Sequence, residues 1–164
     1  MGNIGDSFFQ FQIALLVTMA FLAEQSKLDI NLRSQFSQMR VAGRNINQSV
    51  CVGGKTVFTK GLAAGLGITE PVNSPTFTIL QVYEEGRMPF YHFDVYRIGD
   101  VEEMDEIGYE DCFYGEGVCL IEWAELIEEI LPEKVIVVTI EKDLEQGFDY
   151  RKITLEGLPE TGTL

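Results

Sequence analysis

The chain has 164 residues, a length that favours one domain. Hydrophobic residues make up 46 % and charged residues 23 %, which is typical of a folded globular protein rather than a disordered one. The chain has 12 Lys and Arg residues and 26 Asp and Glu residues, so the formal net charge is −14. This balance disfavours a large direct nucleic-acid surface and adhesion to an anionic membrane.

The acidic residues are concentrated toward the C-terminus. Residues 100–164 hold 19 acidic and 4 basic side chains, whereas residues 1–99 hold 7 and 8. We therefore expect any phosphate chemistry in the first two-thirds, and a solvated face or a basic partner at the acidic third. Cys51, Cys112 and Cys119 form no metal-binding spacing, and we expect reduced thiols in a cytoplasmic protein.

The first 50 residues differ in character from the rest. From Phe8 to Leu28 the chain is apolar on nearly all sides, which predicts a buried helix. Its apolar centre, Phe11 to Ala23, has 13 residues and is too short to span a bilayer, which needs about 20. No Lys or Arg precedes it, so the positive region of an export signal is missing.

From Cys51 onward helices and strands alternate. Apolar spacing predicts helices over 55–67, 101–114 and 124–130, the first ended by Gly67 and the last by Pro132. Alternating or continuous apolar runs predict strands over 76–83, 89–97, 117–123, 135–141 and 151–155, with the first two forming a hairpin. This order predicts a three-layer α/β domain.

The strongest chemical motif is Gly53-Gly54-Lys55-Thr56 at the start of the first predicted helix. In a phosphate-binding loop, glycines let backbone N–H groups curl around phosphates, a Lys reaches the β and γ phosphates, and a Thr hydroxyl holds Mg²⁺. The full pattern is GxxxxGK[ST], and Ser49 occupies the position of its first glycine. Only the second half of the motif is present.

Two carboxylates strengthen this interpretation. Asp94 and Glu122 fall in or at the end of predicted strands, where a metal or its water would justify a carboxylate. The alternatives are an exposed edge-strand residue for Asp94 and a helix-start charge for Glu122.

Three further features leave both a structural and a functional interpretation open. Ser74 and Thr76 cap a turn or face a γ-phosphate, and Trp123 is a core residue, a pocket wall or a nucleotide-facing aromatic. The single histidine, His92, fits a core or hydrogen-bonded residue better than a catalytic base.

Five segments in order resemble one family. GKTVFTKGLAAGLGI, VNSPTFTI, YHFDVYR, EIGYEDCF and GVCLIEWAE are similar to the motifs of the TsaE family, also called YjeE or YdiB. The resemblance covers about residues 53–157. It implies a single three-layer P-loop domain with a mixed sheet of six or seven strands. It also implies an Mg-dependent ATPase that assists threonylcarbamoyladenosine modification of tRNA by acting on the TsaD–TsaB transferase pair, and that meets tRNA only through that complex.

The resemblance also implies roles for particular residues. Lys55, Asp94 and Glu122 would be catalytic, and Thr56, Asp94 and Glu122 would hold Mg²⁺. His92, Tyr96 and Arg97 would shape the strand that carries Asp94. ATP or ADP would contact residues of the loop and the first turn, two residues of the SPTF segment and the tryptophan: Gly53, Gly54, Lys55, Thr56, Val57, Ser74, Thr76 and Trp123.

The chain departs from the family pattern before the lysine. The family loop is GDLGAGKT, and Ser49 and Val52 replace two of its glycines; a β-branched residue at positive φ costs about 1–3 kcal/mol. We divide the chain into a divergent segment over 1–50, an ATPase core over 51–157 and a frayed tail over 158–164. The first segment is either a divergent replacement or the result of a frameshift or altered gene start.

Two other functions fit the same residues. If the altered loop no longer holds ATP, the protein is a docking module of the same complex. A small-molecule P-loop kinase fits less well, because Arg87, Arg97 and Arg151 are scattered and form no arginine-rich lid.

Overall fold

The protein folds around one mixed β-sheet. The structure is a computed structural model that describes the backbone of residues 9–17 and, in full, residues 54–143, 145–147 and 150–158. Within these residues the sheet has six strands in the order β2-β3-β4-β1-β5-β6. The strands are β1 (Phe9–Val17), β2 (Leu80–Tyr83), β3 (Phe90–Asp94), β4 (Val118–Glu122), β5 (Ile136–Lys142) and β6 (Arg151–Glu156).

Helices connect these strands. They are α1 (Lys55–Leu66), α2 (Glu103–Ile107), α3 (Tyr109–Phe113) and a 3-10 helix over Ala124–Ile130. The expected hairpin is present, since β2 pairs with β3 antiparallel. Strands β3 and β4 are parallel, and the other described pairings are antiparallel. The mixed sheet confirms the expected α/β fold class.

The central strand β1 corrects the helix expected over Phe8 to Leu28. Residues Phe9–Val17 pair with β4 on one side and β5 on the other. A short apolar run does not distinguish a buried helix from a buried strand by its periodicity, and a strand with neighbours on both sides has the same continuous apolar sequence. The remainder of that predicted helix lies outside the described residues.

The direction of β1 differs from that of a strand that enters a phosphate-binding loop. Ile13 of β1 pairs with Glu122 at the end of β4, and Val17 pairs with Val118 at its start. The end of β1 therefore lies at the opposite edge of the sheet from Glu122. In the P-loop motif, by contrast, the strand leads straight into the loop at the edge where the phosphates bind.

Two apolar clusters cover the two faces of the sheet and give three layers. On one face, Phe58 and Leu66 of α1 pack with Leu120 and Ile140. On the other, residues of α2, α3 and the 3-10 helix pack with Phe93 and Ile121: Met104, Tyr109, Phe113 and Ile127. The sheet therefore separates α1 from the other helices.

Two of the cysteines lie in the core. Cys112 and Cys119 are free and buried, and Cys119 donates its S–H to the carbonyl oxygen of Cys112 at 3.0 Å. Burial raises the pKa of the Cys119 thiol, so it stays protonated at neutral pH.

Helix α1 has nearly the bounds predicted for it, 55–67. Gly54 precedes it in the left-handed conformation. Gly67 ends it in the same conformation, and its backbone N–H donates to the carbonyl oxygen atoms of Ala63 and Ala64.

Two other predicted elements differ in extent. The strand expected over 76–83 begins only at Leu80, because the N–H groups of Thr78 and Ile79 both donate to the carbonyl oxygen of Pro75. The expected acidic helix is divided into α2 and α3 at Gly108.

No helix within the described residues is long and apolar enough to cross a membrane.

Gly117 fixes the entry into β4. Its φ is +136°, and a Cβ there would lie 2.6 Å from the carbonyl oxygen of Pro89. Gly108 also has a positive φ, +71°, but an added Cβ would meet nothing within 4 Å.

We expect Gly117→Ala to lower the free energy of unfolding by about 3 kcal/mol, because left-handed strain and a backbone clash add together. Gly108→Ala is the matched control and should cost only the strain, about 1 kcal/mol. Urea unfolding followed by far-UV circular dichroism measures both. Equal losses in the two variants would show that the approach to Pro89 is not close.

Candidate functional site

Two buried carboxylates lie side by side at one edge of the sheet. Asp94 is the last residue of β3 and Glu122 the last of β4, and the two are in register on parallel strands. They are 3 % and 2 % exposed. The carboxyl ends of neighbouring parallel strands are where open α/β sheets bind their ligands. Neither expected alternative, an exposed edge residue or a helix-start charge, describes these positions.

Lys55 brings a positive charge to this edge. It is the first residue of α1, and its Nζ lies 3.2 Å from Oε2 of Glu122. The same Nζ lies 4.1 Å from the centre of the Trp123 ring, a cation–π distance. The Lys55 side chain is 15 % exposed, so the ion pair is largely shielded from water. Helix α1 therefore presents its N-terminus and its lysine to the carboxylate.

A loop supplies two of the hydrogen bonds to the carboxylate of Asp94. The hydroxyl groups of Thr76 and Ser74 donate to its Oδ2 at 2.6 and 3.2 Å. The backbone N–H of Tyr96 donates to Oδ1 at 3.3 Å. Ser74 and Thr76 therefore do more than cap a turn, since they tie their segment to one of the two carboxylates.

Aromatic side chains form a wall beside the lysine. Trp123 has φ +65° and ψ +36°, the left-handed conformation, and its ring is tilted against that of Tyr96 with the centroids 5.1 Å apart. Trp123 is half-buried. Phe77, in the loop between Ser74 and β2, is 85 % exposed, and the guanidinium of Arg97 lies 4.6 Å above its ring.

Three other residues expected at a phosphate site lie at the start of α1. Gly54 precedes α1, and Thr56 and Val57 are half-buried in its first turn. Gly53 lies outside the described residues. The structure thus joins Lys55 to Glu122 and Trp123, and separately joins Ser74 and Thr76 to Asp94.

Two neighbours of the site come from distant parts of the chain. The Arg151 side chain lies against Gly54: a Cβ built on that glycine would be 3.8 Å from Nε of Arg151. His92 is fully buried with its Nε2 3.0 Å from Oε1 of Glu122, which agrees with a hydrogen-bonded core residue. Both contacts join residues far apart in the chain, which single-sequence patterns do not reveal.

The donor set suits a phosphate ester with a hard cation. A helix N-terminus and an ammonium group attract phosphate, while carboxylates and hydroxyl groups are the ligands that Mg²⁺ takes together with water and phosphate oxygens. Among the described residues, no group of three or more His, Cys, Asp and Glu could hold a metal alone. Fold and site together define a P-loop-like α/β protein with a polar site at the carboxyl ends of β3 and β4.

Comparison with known proteins gives one consistent family. The family model described as "Threonylcarbamoyl adenosine biosynthesis protein TsaE" matches residues 26–153. The chain therefore belongs to the TsaE family. The match begins earlier in the chain than the motifs themselves, which start at residue 53.

Curated relatives carry the same name. The chain is 54 % identical over 101 residues to the tRNA threonylcarbamoyladenosine biosynthesis protein TsaE of Bacillus subtilis, an alignment that spans 62 % of this chain and 61 % of that one. The TsaE protein of Treponema pallidum is 50 % identical over 93 residues, or 57 % of this chain and 68 % of its own length. The alignments thus span about two-thirds of these relatives or less.

A solved structure has a similar fold. The crystal structure of Bacillus subtilis YdiB superimposes with a TM-score of 0.54 and 32 % sequence identity, covering 92 % of this chain and 87 % of that one.

The ion pair between Lys55 and Glu122 can be measured as a coupling energy. We expect Lys55→Met to lower the free energy of unfolding by about 2 kcal/mol, because it leaves a buried carboxylate without its cation. Adding Glu122→Gln should recover at least about 1 kcal/mol of that loss. Urea unfolding of both single variants and the double variant measures the coupling.

Lys60→Met is the matched control, since Lys60 is exposed on the same helix and its loss should change stability by less than about 0.5 kcal/mol. Additive effects of Lys55→Met and Glu122→Gln would show that the two side chains do not interact.

Proposed function

We propose that this protein is an Mg-dependent ATPase that assists threonylcarbamoyladenosine modification of tRNA. The observation that carries the proposal is the contact of Lys55, at the start of α1, with Glu122 beside Asp94. This contact supports the proposal because a cation, a helix N-terminus and carboxylates are the groups that bind phosphate and Mg²⁺. The names of the relatives support the pathway.

Nucleotide phosphates would bind at the start of α1. There Gly54, Thr56 and Val57 offer backbone N–H groups that a helix leaves without partners in its first turn. Lys55 would exchange Glu122 for the β and γ phosphates, and Trp123 would form the wall beside them. Gly53 would complete the loop, and Ser74 and Thr76 would face the γ-phosphate.

The residues at this edge fit magnesium. Thr56, Asp94 and Glu122 would hold the ion, one through a hydroxyl and two through carboxylates or their bound water. Bound magnesium would neutralise charge on the phosphate oxygens. Asp94, fixed by two hydroxyl groups, would orient water, and Glu122 would accept the proton of the water that attacks the γ-phosphorus. That attack breaks the bond to the β-phosphate oxygen and gives ADP and phosphate.

The charge distribution supports action on proteins rather than on tRNA directly. Residues 100–164 carry 19 acidic and 4 basic side chains, which would repel a phosphate backbone and suit a basic protein surface. We propose the TsaD–TsaB pair as the partner and the cytoplasm as the location, and tRNA would be met only through the complex.

One sequence feature favours a second function. Ser49 and Val52 replace two glycines of the family's loop, and a β-branched residue fits a left-handed loop position poorly. If the loop does not close on phosphate, the chain would act as a docking module of the same complex without turnover.

Nucleotide binding separates the two functions. We expect Mg-ATP and Mg-ADP to change the fluorescence of Trp123, the only tryptophan, with saturation. Binding to Lys55→Ala should be about 10–100-fold weaker, because a charge-assisted contact to phosphate is lost. Titration at constant Mg²⁺ gives the dissociation constants.

Circular dichroism should show first that both proteins are folded, and Lys60→Ala serves as the matched control. Absence of saturable binding up to millimolar nucleotide would contradict the ATPase and favour the docking module.

The hydroxyl contact to Asp94 should affect turnover more than binding. Thr76→Val keeps the shape of the side chain and removes the hydrogen bond of 2.6 Å, so we expect kcat to fall about tenfold or more while the affinity for Mg-ATP changes little. Phosphate release in the presence of TsaD and TsaB measures kcat. Thr78→Val, at an exposed position in the same loop, should leave kcat unchanged, and equal effects of both substitutions would argue against a role for the Thr76 hydroxyl.

A further inference from the structure

His92 is fully buried next to the polar site. It lies on β3 two residues before Asp94, on the same face of that strand. Its ring is stacked near that of Phe90, with centroids 6.2 Å apart and planes 15° from parallel. Packing therefore limits the ways in which the imidazole can turn.

The two oxygen atoms of Glu122 have different partners. Oε2 pairs with Nζ of Lys55 at 3.2 Å, and Oε1 lies 3.0 Å from Nε2 of His92. The backbone carbonyl oxygen of Glu122 accepts the N–H of Val95 at 3.2 Å, so the main chain is held as well. One oxygen of the carboxylate is thus held by a residue of helix α1 and the other by a residue of strand β3.

The surroundings select one tautomer of His92. A carboxylate oxygen only accepts hydrogen bonds, so Nε2 must be the nitrogen that carries the hydrogen. Nδ1 is buried and has no hydrogen-bond partner among the described residues. A second N–H at Nδ1 would be buried without an acceptor, at the cost of an unmade hydrogen bond. The geometry therefore favours the Nε2–H tautomer.

We propose that His92 is a positioning residue for Glu122, an inference that rests on the proposed ATPase. Its Nε2–H holds Oε1 in place, so the carboxylate keeps its orientation when Lys55 turns from Oε2 to the phosphates. Oε2 is then the oxygen that faces the reacting groups. His92 itself need not touch nucleotide, metal or water.

Two substitutions separate positioning from packing. His92→Gln keeps an amide N–H where Nε2 donates, whereas His92→Leu fills the space without a donor. We expect His92→Leu to lower kcat for ATP hydrolysis about 10–100-fold, with KM changed less than about threefold. Losses of this size are typical when a hydrogen bond that orients a catalytic or metal-binding side chain is removed. His92→Gln should recover most of kcat. Circular dichroism and urea unfolding should show that both variants are folded.

The kinetic outcomes distinguish the two proposals. A folded wild-type protein that does not hydrolyse ATP with TsaD and TsaB would overturn the proposed function. An active wild type with unchanged kcat in His92→Leu, or with equal losses in both variants, would overturn the positioning role and leave the ATPase intact.

The tautomer is tested without turnover and without any variant at position 92. His92 is the only histidine, so histidine labelled with nitrogen-15 gives the signals of one imidazole. We expect a hydrogen on Nε2 and none on Nδ1, and Glu122→Ala should speed exchange of that hydrogen with water. The opposite tautomer, or exchange that Glu122→Ala does not change, would overturn the inference.

Discussion

The carboxylate of Glu122 is the group around which this edge of the protein is arranged. It is 2 % exposed, and a buried charge is tolerated only where other groups compensate it. Its partners, Lys55 and His92, belong to α1 and β3, which neither adjoin each other in the chain nor adjoin β4. Compensating this single charge therefore ties the start of the helix to the sheet.

The neighbouring carboxylate is held in a different way. The hydrogen bonds that the structure gives the carboxylate of Asp94 come from two hydroxyl groups and one backbone N–H, whereas that of Glu122 pairs with a cation. The hydroxyl groups belong to a loop that reaches β2 through Ile79, a β-branched residue at φ +65°, a conformation that costs about 1–3 kcal/mol. The partners of Glu122 come from regular elements instead. The two carboxylates in register thus have unlike supports, one from a helix and a strand and the other from a loop with a left-handed residue.

Part of this arrangement could be predicted from the sequence. Helix α1, the β2–β3 hairpin and strand β4 follow from local patterns, and Asp94 and Glu122 were expected where strands end. Local patterns were insufficient for β1, because an apolar run gains its strand conformation from neighbours on both sides. The same holds for the contact of His92 with Glu122, which joins residues 30 positions apart. It depends on the pairing of β3 with β4, a property of topology rather than of sequence spacing.

The topology also places a group of acidic residues on one face of the sheet. Helix α1, with Lys55 and Lys60, packs on one face of the sheet, and α2 and α3 pack on the other. The exposed acidic residues of α2, α3 and the 3-10 helix follow the second face: Glu103, Asp105, Glu106, Glu110, Asp111, Glu125, Glu128 and Glu129. The sheet thus separates a lysine-bearing helix from an acidic surface. Because exposed charges are screened beyond about 8–10 Å, the acidic face acts only weakly on charges at the opposite face of the sheet.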